Sequence, residues 1–344
     1  MSRSSGLKKE EQMIRNALMC YFEEIHTVNI EENLHEGSWH KDLHYKIVVN
    51  GKRYAARFLC ENRTENPAFG HITNEQLREQ IGFTYYIREH GVPFMQIKKS
   101  IEHKTFVTII WNCEIYRFVL SEWIEGRHIT YCDKQIAEEF GREARKFHDI
   151  SSSFQSAAFT KKSHLVGYRE FIKLLRNKMA PENIAKEYNN ELQNYLELAE
   201  YHIDRARSDD MNFIMQSDLN PLNIIWNEDC EIKGIIDFES IGYGERMEGI
   251  AWLIKWYSRS KGIHSHAVCS EVTQAFLKGY NADDFLDAHD YGRLSSLLWL
   301  SGCLNWNFVK KTLGMIEEGI ELKLLNEHLK VYKTRGEGLS TLIK

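Results

Sequence analysis

The sequence predicts an α+β chain of two lobes, a small antiparallel β-rich N-terminal lobe and a larger helical C-terminal lobe. Three observations carry this. Short runs of β-branched and aromatic residues, separated by turn signals, fill the first third of the chain. Beyond Gly126 the apolar residues recur at helical spacing instead. A hairpin pattern, Ile224-Ile225-Trp226 and Ile232-Lys233-Gly234-Ile235-Ile236 around the polar stretch 227–231, is embedded among those helices. The corresponding organisation is an N-terminal lobe over residues 1–120, a hinge over 121–126 and a helical lobe over 127–344.

In chain order, residues 11–24 read as an amphipathic helix, and strands are expected at 27–30, 43–49 and 53–59. Asn50-Gly51 between the last two is a strong two-residue hairpin turn, because both positions tolerate positive φ. A helix is expected over 74–90, started by a Thr73/Gln76 capping box and ended by Gly91 and Pro93. Strand-like runs follow at 105–111 and 116–123. In the second lobe, Ile136, Phe140, Ala144 and Phe147 keep a helical period. Further helices are expected over 168–178, 190–207, 247–257, 266–280, 291–315 (with a break near Gly302) and 322–333.

Length and composition bound the class. The 344 residues suffice for two lobes with ample core, and 43% apolar with 27% charged residues is ordinary for a globular protein. A net charge of −5 gives no reason to expect nucleic-acid binding. Seven scattered cysteines with no Cys-x-x-Cys spacing point to reduced thiols rather than a disulfide frame or zinc site. The chain shows no secretory h-region at its start and no apolar run of about 20 residues, so a cytoplasmic protein is expected.

The chemistry concentrates around the hairpin. Asp218 precedes Asn223 by five residues on a short loop, and Asp237 follows Asn223 by fourteen. Asn223 enters one strand and Asp237 leaves the other, so folding the hairpin carries them to the same end. Cross-strand neighbours stand roughly 5 Å apart at Cβ. Two hard oxygen donors at that spacing suit Mg²⁺. Asp218, just upstream, is left to face a substrate hydroxyl. A base and two magnesium ligands in this order are the plan of a phosphoryl-transfer site, with ATP or GTP as donor.

The nucleotide side is expected in the first lobe. Leu34-His35-Glu36-Gly37-Ser38-Trp39 is a glycine-containing turn between strands, where the amides of Gly37 and Ser38 can approach phosphates. Tyr54-Ala55-Ala56-Arg57 places Arg57 where kinases carry a phosphate-holding lysine; a guanidinium can take that role bidentately. Its acidic or polar partner on the following helix is left open between Glu79 and Gln80. Ser121, Glu122, Trp123 and Ile124 form the hinge that would line adenine, and Gly126 lets the chain turn afterwards.

With these residues assembled, the chain resembles the aminoglycoside phosphotransferase / choline kinase-like family, whose fold is protein-kinase-like. The resemblance runs from the 34–39 loop to the helices past Tyr291. Its most specific part is Ser217-Asp218-Leu219-Asn220-Pro221-Leu222-Asn223 through Gly234-Ile235-Ile236-Asp237-Phe238-Glu239. Glu89-His90-Gly91-Val92-Pro93 and Trp123-Ile124-Glu125-Gly126 look like the family too. The resemblance implies Asp218 as catalytic base, Asn223 and Asp237 as magnesium ligands, Arg57 facing the nucleotide phosphates and Ser121 to Ile124 against adenine. Two stretches depart from it. Gln216-Ser217 stands where the family has His-Gly before the base, and Gly249 where it often has an Asp.

The acceptor is a small molecule with a hydroxyl, and its identity stays open. Carboxylates after the metal site (Glu239, Glu245, Glu248, Asp283, Asp284, Asp287, Glu317, Glu318) would suit an amine-bearing acceptor such as an aminoglycoside. Trp252, Trp256, Trp299 and Trp306 would suit the quaternary ammonium of choline. Sugar kinases of the same fold, and a pseudokinase acting as a binding module, are the alternatives. A protein kinase is disfavoured by the missing Gly-rich triplet, the missing Ala-Pro-Glu and the few residues between Asp237 and the next helix.

Overall fold

A computed structural model describes residues 2–35, 40–63, 71–161, 163–179, 186–208, 211 and 213–343. The fold is protein-kinase-like, with an antiparallel β-rich N-terminal part and a helical C-terminal part. Two compact units divide the chain. The first comprises Met1–Gly126 and Gly234–Glu239, the second Arg127–Lys233 and Ser240–Lys344.

In the first unit an antiparallel sheet has the order β1-β2-β3-β6-β4, with β5 pairing β6. Its strands are β1 (Val28–Asn33), β2 (Leu43–Val49), β3 (Lys52–Cys60), β4 (Ile97–Lys98), β5 (Val107–Trp111) and β6 (Glu114–Glu122). The β2–β3 connection is the expected Asn50-Gly51 turn, with φ of +50° and +82°. Alternation along β2 and β3 sends Tyr45, Ile47, Tyr54, Ala56 and Phe58 to one buried face. The helix α1 (Ser2–Leu18) adds Met13, Ile14, Ala17 and Leu18 to the same core. It lies earlier in the chain than the expected 11–24. Arg57 stands between Ala56 and Phe58 and so points to the opposite face of β3.

α2 (Asn74–Glu89) starts at the Thr73/Gln76 capping box, with both reciprocal hydrogen bonds formed, at 2.9 and 3.1 Å. Gly91, at φ +85°, turns the chain out of it. The returning segment Gly234–Glu239 is anchored here: Ile235 donates its amide to Pro93 O at 2.7 Å and accepts from Met95 N at 2.8 Å. Those bonds fix the path of Asp237, Phe238 and Glu239, with the Phe238 ring fully buried.

The second unit is built on helices. These are α3 (Lys134–Ser151), α4 (His164–Met179), α5 (Lys186–Arg205), α6 (Arg246–Tyr257), α7 (Ser270–Gly279), α8 (Ala288–Cys303), α9 (Trp306–Glu318) and α10 (Leu322–Ser340). α3 packs on α7, and α8 packs on α10, α6 and α5. The break expected near Gly302 falls at Leu304, because Asn305 caps α9 by accepting the Phe308 amide at 3.1 Å. Gly302 itself serves the α8–α10 crossing: a Cβ there would stand 2.8 Å from the Gly336 Cα.

Two short ladders flank the loop over 217–223. β7 (Phe213–Gln216) pairs antiparallel with β10 (Ile241–Gly244), a strand the sequence did not announce. β8 (Ile224–Trp226) and β9 (Ile232–Ile235) form the expected hairpin. Its turn is closed by Asn227 and Glu231: the Asn227 amide donates to Glu231 O at 3.0 Å, and the Glu231 amide to Asn227 Oδ1 at 2.8 Å. Among the described residues, no helix is long and apolar enough to cross a membrane. All seven cysteines are free.

Candidate active site

The loop leaving β7 is held by its own polar side chains. Gln216, buried at the end of the strand, accepts the Asp218 amide on Oε1 at 3.2 Å. Ser217 donates both its amide and its hydroxyl to Ser240 O, each at 3.1 Å. Asn220 accepts the Leu222 amide at 2.8 Å, starting a 3₁₀ turn over Pro221–Asn223, and donates Nδ2 to Asp218 Oδ1 at 2.9 Å. Asn223 donates Nδ2 to Asp218 O at 2.7 Å and lies 3.4 Å from Asp218 Oδ2. With its nitrogen so bound, the Asn223 carboxamide keeps its oxygen out of the contact with Asp218. Asp218 is thereby oriented by two flanking asparagines. Asn220 is the member of this set that spacing rules passed over, although Asn-Pro is a visible turn signal.

In the first unit a charged network surrounds Arg57. Its guanidinium contacts Asp237 Oδ1 at 3.2 Å and forms an ion pair with Glu239. Arg63 pairs with the same Glu239 and, at 2.8 Å, with Asp42. Three carboxylates thus face two guanidinium groups. Gln80 donates to the Glu239 carbonyl at 2.9 Å. The partner sought for Arg57 on α2 is therefore Glu239, two residues past Asp237, and Gln80 braces that residue's backbone.

Electrostatics follow from this arrangement. Burial disfavours charge on Asp237, but Arg57 and the amides of Glu239 and Phe238 outweigh it and hold the carboxyl below its usual range. Burial pushes Glu239 up, with Asp237 adding to that and Arg57 and Arg63 opposing it. Burial likewise raises Asp42, opposed by Arg63. Arg57 is raised: its carboxylate neighbours, Glu239 first, outweigh the burial that disfavours its charge. Asp237 has φ +73°, a left-handed conformation uncommon outside glycine and tolerated by Asp. It is set by the Glu239 amide donating to Asp237 Oδ1 at 3.1 Å.

Gly37 and Ser38 lie outside the described residues. In the segment predicted as a hinge, Ser121 is buried in β6 between Ala55 and Ile97. The Glu122 amide donates to Gln96 O at 2.9 Å and the Trp123 amide to Arg53 O at 3.2 Å. Lys46 sits 4.5 Å above the Trp123 ring. Ile124 fills the space beside Gly234, which a side chain at that glycine would occupy. A cavity of about 850 Å³ elsewhere in this unit, lined by Met19, Arg78, Ile101 and Phe106 among others, holds none of the predicted residues.

Most of the acidic residues considered for an amine-bearing acceptor already have partners. Glu245 pairs with Arg293 at 2.6 Å, Glu248 accepts from Ser163 and from the His164 amide, and Glu317 pairs with Lys178 at 2.8 Å. Asp283 accepts from the Tyr291 hydroxyl, and Asp287 caps α8. The four tryptophans do not form one box. Trp299 stacks on His202 and Trp306 lies against Phe171, while Trp252 and Trp256 carry Lys255 and Arg259 over their faces. The close group Asp287, His289 and Asp290 is exposed or half-exposed, and two of its three members are joined in the capping box of α8.

Comparison with known proteins agrees with this architecture. A family model described as "Phosphotransferase enzyme family" matches residues 39–295. No curated protein sequence matches. Among solved structures, the chain is similar to the amicoumacin kinase hAmiN in complex with AMP-PNP, Ca²⁺ and Ami (TM-score 0.63, 16% identity, 98% of this chain and 96% of that one). It is similar to a microcompartment-associated aminopropanol kinase (0.62, 14%, 96% of each chain). It is also similar to an aminoglycoside phosphotransferase from Alicyclobacillus acidocaldarius (0.60, 12%, 96% and 93%).

Proposed function

The chain belongs to the phosphotransferase enzyme family, and from that membership we propose that it transfers the γ-phosphoryl group of ATP or GTP to a hydroxyl of a small molecule. The observation that carries the proposal is the Asp218 loop. A carboxylate is oriented by Asn220 and Asn223, on a loop whose backbone is tied to Gln216 and Ser240.

Asp218 would orient the acceptor hydroxyl and take its proton as the new bond forms. The acceptor oxygen bonds to the γ-phosphorus, the bond from that phosphorus to the β-γ bridging oxygen breaks, and the nucleoside diphosphate leaves with the electron pair. Such catalysis is mostly positioning and electrostatic stabilisation. Arg57 would meet phosphate oxygens once a nucleotide competes for its carboxylate contacts. At the hinge, with the Glu122 and Trp123 amides engaged, the Ile124 amide is the donor we assign to adenine.

The donor set fits Mg²⁺. Asn223 offers a carboxamide oxygen fixed by its pinned nitrogen, and Asp237 a carboxylate held in its charged form. In the sequence the two bracket the 224–236 hairpin. Bound Mg²⁺ would neutralise charge developing on phosphate oxygens. Release of nucleoside diphosphate with a panel of alcohol acceptors tests the proposal. Turnover is expected to depend on Mg²⁺ and on Asp218; turnover that survives Asp218→Ala would overturn it.

A further inference from the structure

Beyond the loop, α6 carries a buried cation that forms no ion pair among the described residues. Lys255 is 8% exposed, and among the described residues no carboxylate forms an ion pair with it. Its Nζ lies 4.3 Å from the ring centre of Trp252 and 5.6 Å from that of Trp256, so two indole faces stand in for an anion. Arg259, 7% exposed, lies one turn on, with its guanidinium 4.5 Å from the Trp256 ring. It donates to Lys255 O at 3.0 Å and to Ile263 O at 2.6 Å, both carbonyls, and it too has no carboxylate partner among the described residues. Arg335 repels Arg259, and it acts with Arg259 and Lys255 on His266.

Cations of one sign, two of them buried, repel one another and are disfavoured by desolvation. Burial, reinforced by Arg259, brings the Lys255 ammonium down to about 7. Asp218 is the carboxylate whose charge opposes that shift, so the cluster lies within the electrostatic reach of the catalytic loop. The same indoles that suggested a box for a substrate ammonium are thus already covered by the chain's own cations. An acceptor bearing a positive charge would add to the repulsion; an anionic one relieves it.

We propose that the acceptor is a hydroxyl-bearing acid whose carboxylate or phosphate group pairs with the Lys255 ammonium, with Arg259 and Arg335 supplying further positive field, while its hydroxyl meets Asp218. This rests on Asp218 being the base, and it names the acceptor class of that site.

Matched acceptors test it: glycerate and glycerol 3-phosphate against glycerol, gluconate against glucose, serine against ethanolamine, and kanamycin as a polycation. Nucleoside diphosphate release is measured with the wild type, Lys255→Met and Lys255→Arg. A charge-assisted hydrogen bond predicts a preference of about ten- to a hundredfold in kcat/KM for an acid over its counterpart that lacks the acid group. Lys255→Met should erase that ratio through KM, and Lys255→Arg should keep most of it. The carboxylate and phosphate arms tell which acid is taken. Preference for neutral or cationic acceptors, or a ratio unchanged in Lys255→Met, overturns the inference. Should nothing in the panel turn over, calorimetry with Mg²⁺ and AMP-PNP present decides it. Tighter binding of the acids, lost in Lys255→Met, supports the anion site, and equal binding of acids and neutrals refutes it. Asp218→Asn runs alongside: full turnover there, with an acid preference that still depends on Lys255, would defeat the base assignment and leave the anion site standing.

Discussion

Replacing Arg57 with Met removes the guanidinium that pairs with Asp237 and Glu239, and leaves Arg63 as the cation paired with Glu239 and Asp42. The side chains of Arg57, Asp237 and Glu239 are 17%, 22% and 5% exposed, so solvent screens the loss only in part. Breaking a buried pair from one side costs about 3–5 kcal/mol, and the residual exposure places this case near 3 kcal/mol. With a urea dependence of about 3 kcal/mol per molar, the unfolding midpoint of the first unit should fall by about 1 M at pH 7.5. The sign with pH follows from the carboxyls. Without the cation, the Asp237 and Glu239 carboxyls rise above their unfolded values, so the folded variant binds more protons than the unfolded chain and gains stability as pH falls. The deficit relative to wild type should therefore shrink on going from pH 7.5 to pH 5. Tryptophan and far-ultraviolet signals in urea at both pH values measure it. A deficit under about 1 kcal/mol, typical of an exposed pair, or one that does not change with pH, would refute the network as drawn.

Other perturbations probe separate parts of the account. Gln216→Leu removes the acceptor of the Asp218 amide and should lower kcat by about tenfold, the effect of a misplaced rather than absent base; Gln216→His should retain most activity, and equal activity of the Leu variant would show that the loop does not need this bond. His148 is fully buried, shares a 2.6 Å hydrogen bond with the Tyr280 hydroxyl, and is pushed by burial, then by Arg246, down to about 3. Its folded pKa lies below the unfolded one, so the unfolded chain takes up the proton first and stability drops as pH falls below about 6.5, by about 1.4 kcal/mol per pH unit for this group. His148→Gln should flatten the stability profile between pH 6 and pH 4 by about one proton; an unchanged slope would mean the ring is already protonated in the fold.

Much of this was legible before any coordinates. The Asn50-Gly51 turn, the Thr73/Gln76 box and the 227–231 hairpin turn are local devices, in which a few neighbouring residues determine the geometry, and all three are present. What escaped was non-local. β10 is four residues long with two glycines, and it becomes a strand because β7 supplies its partner. β4 is two residues and exists only against β6. Helical periodicity points to α2 for the partner of Arg57, whereas Glu239 stands in the turn after β9, on a segment brought alongside by Pro93 and Met95. Composition alone makes the tryptophans of α6 suit a ligand's cation as well as the chain's own. Lys255 and Arg259, each three residues after the indole it covers, are i,i+3 neighbours that a wheel would have paired.

The most direct measurement is Mg²⁺-dependent nucleoside diphosphate release by wild type and Asp218→Asn, with nucleotide affinity determined by calorimetry on the same samples. Loss of a positioned general base predicts a fall in kcat of about 10²–10⁴ with nucleotide binding preserved. Turnover by Asp218→Asn within a few-fold of wild type would contradict the assignment of Asp218 as the group that receives the acceptor's proton.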